Sequence, residues 1–130
     1  MAYGNGVMEC VLIVDDEPAI RNLERVILKS AGYEVLTASN GAEALEVLEH
    51  NAPSVMVLDM AMPVMDGRSL FRKLDCRGHR PPVLVVASEA RIAQRELGAE
   101  GSLEKPFAPE DLIARVEELY PEGHHGQRRS

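Results

Sequence analysis

Three aspartates at the ends of two apolar runs, and one lysine, stand where the chain could carry out chemistry. Asp15 and Asp16 directly follow the apolar run 10–14, and Asp59 directly follows the apolar run 55–58. If both runs are neighbouring strands of a parallel sheet, the three carboxylates meet in one pocket and repel one another. A hard divalent cation removes this repulsion, and Mg²⁺ accepts carboxylate oxygens while it keeps waters and bridges to phosphate. The spacing therefore predicts a magnesium site.

Two simpler interpretations compete with this one. Asp15 or Asp16 could cap the helix that is predicted to start near Pro18. Lys105 follows a weak strand signal, where its ammonium could pair with Asp59 or with a phosphoryl oxygen. A lysine at such a position could also be an ordinary surface charge in a turn.

Five short apolar segments would position these side chains. The predicted strands are 10–14, 34–38, 55–58, 83–87 and a weak fifth around 101–104. Their alternation with helical patterns implies a parallel sheet that is covered by helices on both faces. In such a sheet, ligands bind beyond the carboxyl ends of the strands.

Helical patterns lie between the strands. In the first, Pro18 suits the opening turn, and Ile20, Leu23 and Ile27 share the face that we expect to be buried. Asn40 opens the second helix as its cap. The other three helices are predicted to begin after 66–67, to cover 90–97, and to begin at Pro109.

Composition excludes several classes of protein. The 130 residues are 45% hydrophobic and 27% charged, as in a globular protein of one domain. No apolar run is long enough to span a membrane, and no signal peptide is evident, so we expect a cytoplasmic protein without membrane insertion. The net charge of −7 disfavours direct contact with nucleic acid. We expect disorder in 1–8 and in 121–130, the second in part a sequence added for expression.

Three segments carry a family resemblance. Residues 14–18, 58–67 and 105–107 read VDDEP, LDMAMPVMDG and KPF. Together they resemble the response-regulator receiver domain of two-component signalling, the CheY-like superfamily, over residues 9–120. The resemblance implies an α/β, flavodoxin-like, doubly wound sheet of five parallel strands in the order 2-1-3-4-5, with five helices.

The resemblance also implies a role for each site residue. Asp59 would accept a phosphoryl group from a sensor histidine kinase, a phosphotransfer protein or a small phosphodonor, and Lys105 would bind that group. Asp16 and Asp59 would ligate Mg²⁺ directly, together with the backbone carbonyl of Ala61, and Asp15 would assist through a water. The domain would not be a conventional enzyme, since it catalyses only its own phosphorylation and dephosphorylation, and it would signal to an unknown downstream protein or output domain.

Two switch positions depart from the family pattern. The end of the fourth strand usually carries Ser or Thr but here has Ala87, with Ser88 one residue later as a possible hydroxyl substitute. Ser88 can serve only if the chain bends there, because a shift of one residue turns a strand side chain to the other face. The fifth strand usually carries an aromatic residue, where this chain has Ser102. The segment 87–105 is also short by about one helical turn, so we expect a shortened fourth helix.

These departures leave three functions open. The first is a phosphorylatable receiver whose signal leaves by another route than the usual hydroxyl-to-aromatic coupling. The second is a pseudo-receiver that acts as a binding module independently of phosphorylation. The third, a metal-dependent phosphohydrolase, is disfavoured because Ala61, two residues after Asp59, offers no acid–base group.

Overall fold

The chain is described by a computed structural model that covers residues 10–60, 64–77 and 80–120, with backbone alone for 64–68. The predicted tails and Ala61 lie outside the described residues. The strands are β1 (Cys10–Val14), β2 (Glu34–Ala38), β3 (Val55–Asp59), β4 (Val83–Ala87) and β5 (Gly101–Glu104). The helices are α1 (Pro18–Ser30), α2 (Gly41–His50), α3 (Val64–Cys76), α4 (Ala90–Leu97) and α5 (Pro109–Leu119). No helix in these ranges is long and apolar enough to cross a membrane.

All five strands are parallel and lie in the order β2-β1-β3-β4-β5, as predicted. The central pair is the one that matters for the site, because Val14 at the end of β1 is in register with Leu58 near the end of β3. The acidic residues that follow these two strands are therefore carried to the same edge of the sheet.

The sheet has a separate hydrophobic core on each face. Successive side chains of a strand point to opposite faces, so Val11 and Ile13 enter one core while Leu12 and Val14 enter the other. The first core also contains Ile27, Leu28, Leu112 and Val116, from α1 and α5. The second contains Ala44, Leu70, Phe71, Leu74 and Ala93, from α2, α3 and α4. These cores hold the strand ends in fixed positions on which a site can be built.

Local sequence accounts for the start of α2 and the end of α4. The Asn40 side chain accepts a hydrogen bond from the backbone N–H of Glu43 at 2.8 Å and so caps α2 as predicted. The eight-residue α4 is the shortest of the five helices. It ends at Gly98, which has a φ of +79° that glycine adopts without a Cβ penalty. The third helix begins at Val64, slightly earlier than predicted.

The prediction for the buried face of α1 was wrong at one position. Leu23 is 52% exposed, whereas its neighbour Glu24 is 1% exposed. The buried residues of α1 are Glu24, Ile27 and Leu28, and Leu23 lies about 90° around the helix from the centre of the face that they form. A glutamate is therefore buried on the face of α1 where the sequence pattern predicts an apolar side chain.

Candidate functional site

The carboxyl ends of β1 and β3 bring two of the predicted acids together inside the protein. Asp59 is the last residue of β3 and is 3% exposed, and Asp15, just beyond β1, has no exposed surface. The backbone N–H of Asp15 donates to the carbonyl oxygen of Ala38 at 3.1 Å, which extends the ladder between β1 and β2 by one residue. The sheet itself thus fixes the position of this carboxyl group.

Lys105 directly follows the outermost strand β5, and its ammonium reaches Asp59 at the end of β3. Its ammonium nitrogen lies 3.1 Å from Oδ1 and 3.2 Å from Oδ2 of Asp59. Its backbone N–H donates to the carbonyl oxygen of Ala87 at 3.0 Å, and the peptide bond to Pro106 is cis. A buried carboxylate is expensive unless it is paired, and this ammonium neutralises Asp59 in place.

Asp15 is the acid of this group whose ionised form is disfavoured. Burial, and after it the neighbouring Asp59 carboxyl, raises the pKa of Asp15 to about 7. Its Oδ1 accepts the backbone N–H of Glu17 at 2.9 Å, whereas its buried Oδ2 has no hydrogen-bond partner among the described residues. An unpartnered carboxyl oxygen beside a second carboxylate is suited to a hard cation or to a water that the cation holds.

The third predicted acid is not part of this buried group. Asp16 is exposed, and within the described ranges no three His, Cys, Asp or Glu side chains lie close enough to hold a metal ion. The capping alternative is not borne out in its simple form either, because α1 is preceded by Glu17 at the cap position and no side chain caps it. Asp15 instead tightens the turn that leads into the helix.

Sequence reasoning missed two residues near this edge. The Arg21 guanidinium donates to the backbone carbonyl of Asp15 at 2.7 Å and ties α1 to the end of β1. Glu24 is buried with both carboxyl oxygens unpartnered among the described residues. Arg21 lies four residues after the cap of α1 and could have been proposed from that spacing. Glu24 gave no signal, because a glutamate in an amphipathic helix is normally assigned to the polar face.

Comparison with known proteins identifies the family. The family model described as "Response regulator receiver domain" matches residues 11–117. The chain belongs to this family. A solved relative, the chemotaxis protein CheY4 of Vibrio cholerae, is 34% identical, with a TM-score of 0.78 over 87% of this chain and 99% of that chain. A signal receiver domain from Bermanella marisrubri gives a TM-score of 0.79 at 31% identity.

Longer relatives match as well. The probable transcriptional regulator ycf27 of Pyropia yezoensis is 41% identical over 83% of this chain, and the response regulator MprA of Mycobacterium sp. strain KMS is 39% identical over 84%. The matches cover 46% and 49% of these two proteins, so this receiver domain spans about half their length. A receiver domain is not a conventional enzyme.

The two serines that sequence analysis considered at the switch positions, Ser88 and Ser102, line different clefts. Ala87 ends β4 half-buried, and residues 88–89 form a turn, so the chain bends where Ser88 would need it to bend. Ser88 lines the same cleft as Lys105. Ser102 is opposite Val85 in the sheet and lines a different groove, which α5 borders. Neither of these two clefts contains both serines.

Proposed function

We propose that this receiver domain accepts a phosphoryl group on Asp59 from a histidine kinase or a phosphotransfer protein. The observation that carries the proposal is the contact of the Lys105 ammonium with both carboxylate oxygens of a nearly buried strand-end aspartate. One of these oxygens attacks phosphorus, the bond from phosphorus to the donor nitrogen breaks, and an acyl phosphate forms. The carboxylate is already a nucleophile, so the site needs only to align it and to neutralise phosphoryl charge.

Magnesium fits the same chemistry. We propose that Asp16, Asp59 and the backbone carbonyl of Ala61 ligate Mg²⁺, and that Asp15 holds one of its waters through the unpartnered Oδ2. When bound, the ion supplies positive charge to the phosphoryl oxygens. Asp16 is the exposed member of this ligand set, so its carboxylate is accessible to an ion that arrives from solvent.

Lys105 has two successive partners in this proposal. Before transfer it neutralises Asp59 and keeps the carboxylate oriented. After transfer the phosphoryl oxygens carry the charge, and the ammonium pairs with one of them. Its side chain is 29% exposed, which leaves room for this short displacement.

The signal leaves by protein–protein interaction. Ser88 is the candidate hydroxyl for the phosphoryl group, since it shares a cleft with Lys105. If it plays that part, Ser88→Ala should shorten or lengthen the lifetime of the acyl phosphate at least about threefold, measured by loss of phosphorylated protein in mass spectra. An unchanged lifetime would remove Ser88 from the mechanism.

A pseudo-receiver is the second candidate function. It is favoured by Ala87, which has no hydroxyl, and by Ser102, which has no aromatic ring to move. In that case the domain would present a constant binding surface and would not respond to phosphodonors.

One experiment separates the two functions. Beryllofluoride mimics the phosphoryl group, and with Mg²⁺ it should bind the wild-type protein and shift amide resonances around residues 15, 59 and 105. Asp59→Asn should abolish the shifts. Asp75→Asn is the matched control, because Asp75 is an exposed carboxylate on α3 that pairs with Arg80, and it should bind as the wild type does. The absence of Mg²⁺-dependent binding to the wild type would establish the pseudo-receiver.

A further inference from the structure

A cleft opens between α1 and the segment that follows β5, and it has a volume of about 490 Å³. The turn after β4 and the start of α5 complete its walls. Its apolar lining consists of Ile20, Leu23, Ile27, Pro106, Phe107 and Pro109. Leu23 is half exposed at this cleft, so its side chain is available for contact with a bound molecule.

Glu24 is the feature of this cleft that the fold does not explain. It lines the cleft, is 1% exposed, and has no hydrogen-bond partner for either carboxyl oxygen among the described residues. Burial, followed by the charges of Asp15 and Asp59, raises its pKa to about 8. Native proteins rarely leave such a group unsatisfied, so a missing partner of donor character is the simplest explanation.

Two candidate partners can be set aside. Lys105 also lines the cleft, but its ammonium is held by both oxygens of Asp59. A metal ion is disfavoured because, in the part of the chain that the structure describes, no three acidic, His or Cys side chains are grouped closely enough to hold one. Neither of these cations completes the hydrogen bonding of Glu24.

We propose that the cleft binds a small molecule with an apolar body and one primary ammonium, which pairs with the Glu24 carboxylate. The apolar walls take the body of the ligand, and the single acid selects the sign of its charge. The volume lies within the range of about 300–1,000 Å³ that is usual for small-molecule sites. A lysine side chain of a protein partner would leave most of this space empty, so the proposal is for a free ligand.

The test compares three probes of similar shape by NMR titration of the unphosphorylated, metal-free protein at about pH 9, where Glu24, with its pKa of about 8, is ionised. They are 2-phenylethylammonium, neutral 2-phenylethanol and anionic 3-phenylpropionate. The ammonium should shift the amide resonances of Ile20, Ile27 and Phe107, and it should bind at least about tenfold more tightly than the alcohol. Equal affinities, tighter binding of the anion, or no binding of the ammonium at millimolar concentration would overturn the proposal.

Variants assign the preference to the acid. Glu24→Gln should bring the ammonium and the alcohol to within about twofold of each other, whereas Glu49→Gln, an exposed glutamate on α2, should leave the preference intact. Leu23→Ala, at a half-exposed position that the core does not need, should weaken both probes alike. An ammonium preference that survives in Glu24→Gln would overturn the proposal. Because the protein is neither phosphorylated nor metal-bound, the outcome is independent of the phosphoryl-transfer function.

Discussion

At the scale of single residues, the charge balance at the sheet edge is incomplete. Asp59 and Lys105 neutralise each other, which leaves Asp15 and Glu24 as two further buried acids with no opposing charge in contact. Both have a raised pKa, and burial is the main cause for each. The burial of these two acids therefore costs folding stability, which is typical of side chains retained for binding or catalysis.

The first prediction concerns Glu24 and the pH dependence of stability. Its pKa rises from an ordinary 4.5 to about 8 on folding, so between these values the folded state holds a proton that the unfolded chain has lost. The contribution of this proton is complete below about pH 4.5 and declines as the pH rises to about 8. Glu24→Gln should match the wild type near pH 5 and exceed it near pH 8.5 by a few kcal/mol, on the order of 4 at most, in urea unfolding.

The control for this prediction is Glu49→Gln, which removes an exposed carboxylate from the opposite face of the sheet. Its stability difference from the wild type should stay the same at both pH values. If the difference in free energy of unfolding between Glu24→Gln and the wild type were the same at both pH values, the Glu24 carboxyl would be ionised in the folded protein throughout the range.

The sequence alone was enough to predict the site residues at the strand ends, but not Glu24 in α1. Asp15, Asp59 and Lys105 lie at or just after the ends of strands, and all parallel strands end at one edge of the sheet, so their proximity could be predicted. Glu24 could not be, because helix amphipathicity is judged from polarity, and the polarity of this residue contradicts its position. A buried acid appears only when the three-dimensional packing is known.

At the scale of elements, prediction succeeded where the apolar pattern was strong. The continuous runs of β1, β3 and β4 have almost no exposed surface, and their positions were predicted to within a residue. The fifth strand was weak in sequence because only Leu103 of its four residues is buried. It is formed by pairing with β4 rather than by its own composition. Edge strands in general depend on their neighbours in this way.

The second prediction tests how the shortened α4 ends. The backbone N–H groups of Gly98 and Ala99 both donate to the carbonyl oxygen of Gln94, at 2.8 and 3.0 Å, and the φ of Gly98 is +79°. A Cβ at this position would meet nothing within 4 Å, so only the backbone conformation opposes a side chain. Gly98→Ala should therefore cost about 1 kcal/mol in urea unfolding.

Asparagine provides the matched control at the same position. It tolerates the left-handed conformation better than alanine, so Gly98→Asn should cost less than half as much. If alanine and asparagine were equally harmless, the left-handed turn would not be what ends α4.

At the scale of the whole molecule, the site depends on two cores that share one sheet. The core under α1 and α5 supports Lys105 and the Glu24 cleft, whereas the core under α2, α3 and α4 supports the other face of the same strands. Every residue of β1 beyond Cys10 belongs to one core or the other. The strands therefore couple the two cores mechanically, and neither face should unfold without the other.

The third prediction turns this coupling into a measurement. Leu112 in α5 and Leu70 in α3 are buried in opposite cores, with 0% and 2% exposure. Each Leu→Ala substitution should lower the free energy of unfolding by about 2–5 kcal/mol, the usual cost of a cavity in a packed core. If the domain unfolds in one step, both variants keep the wild-type dependence on urea, and fluorescence and circular dichroism report the same midpoint. Two separate midpoints in either variant would show that the cores unfold independently, in which case Asp59 could lose its alignment with Lys105 while half of the fold remained intact.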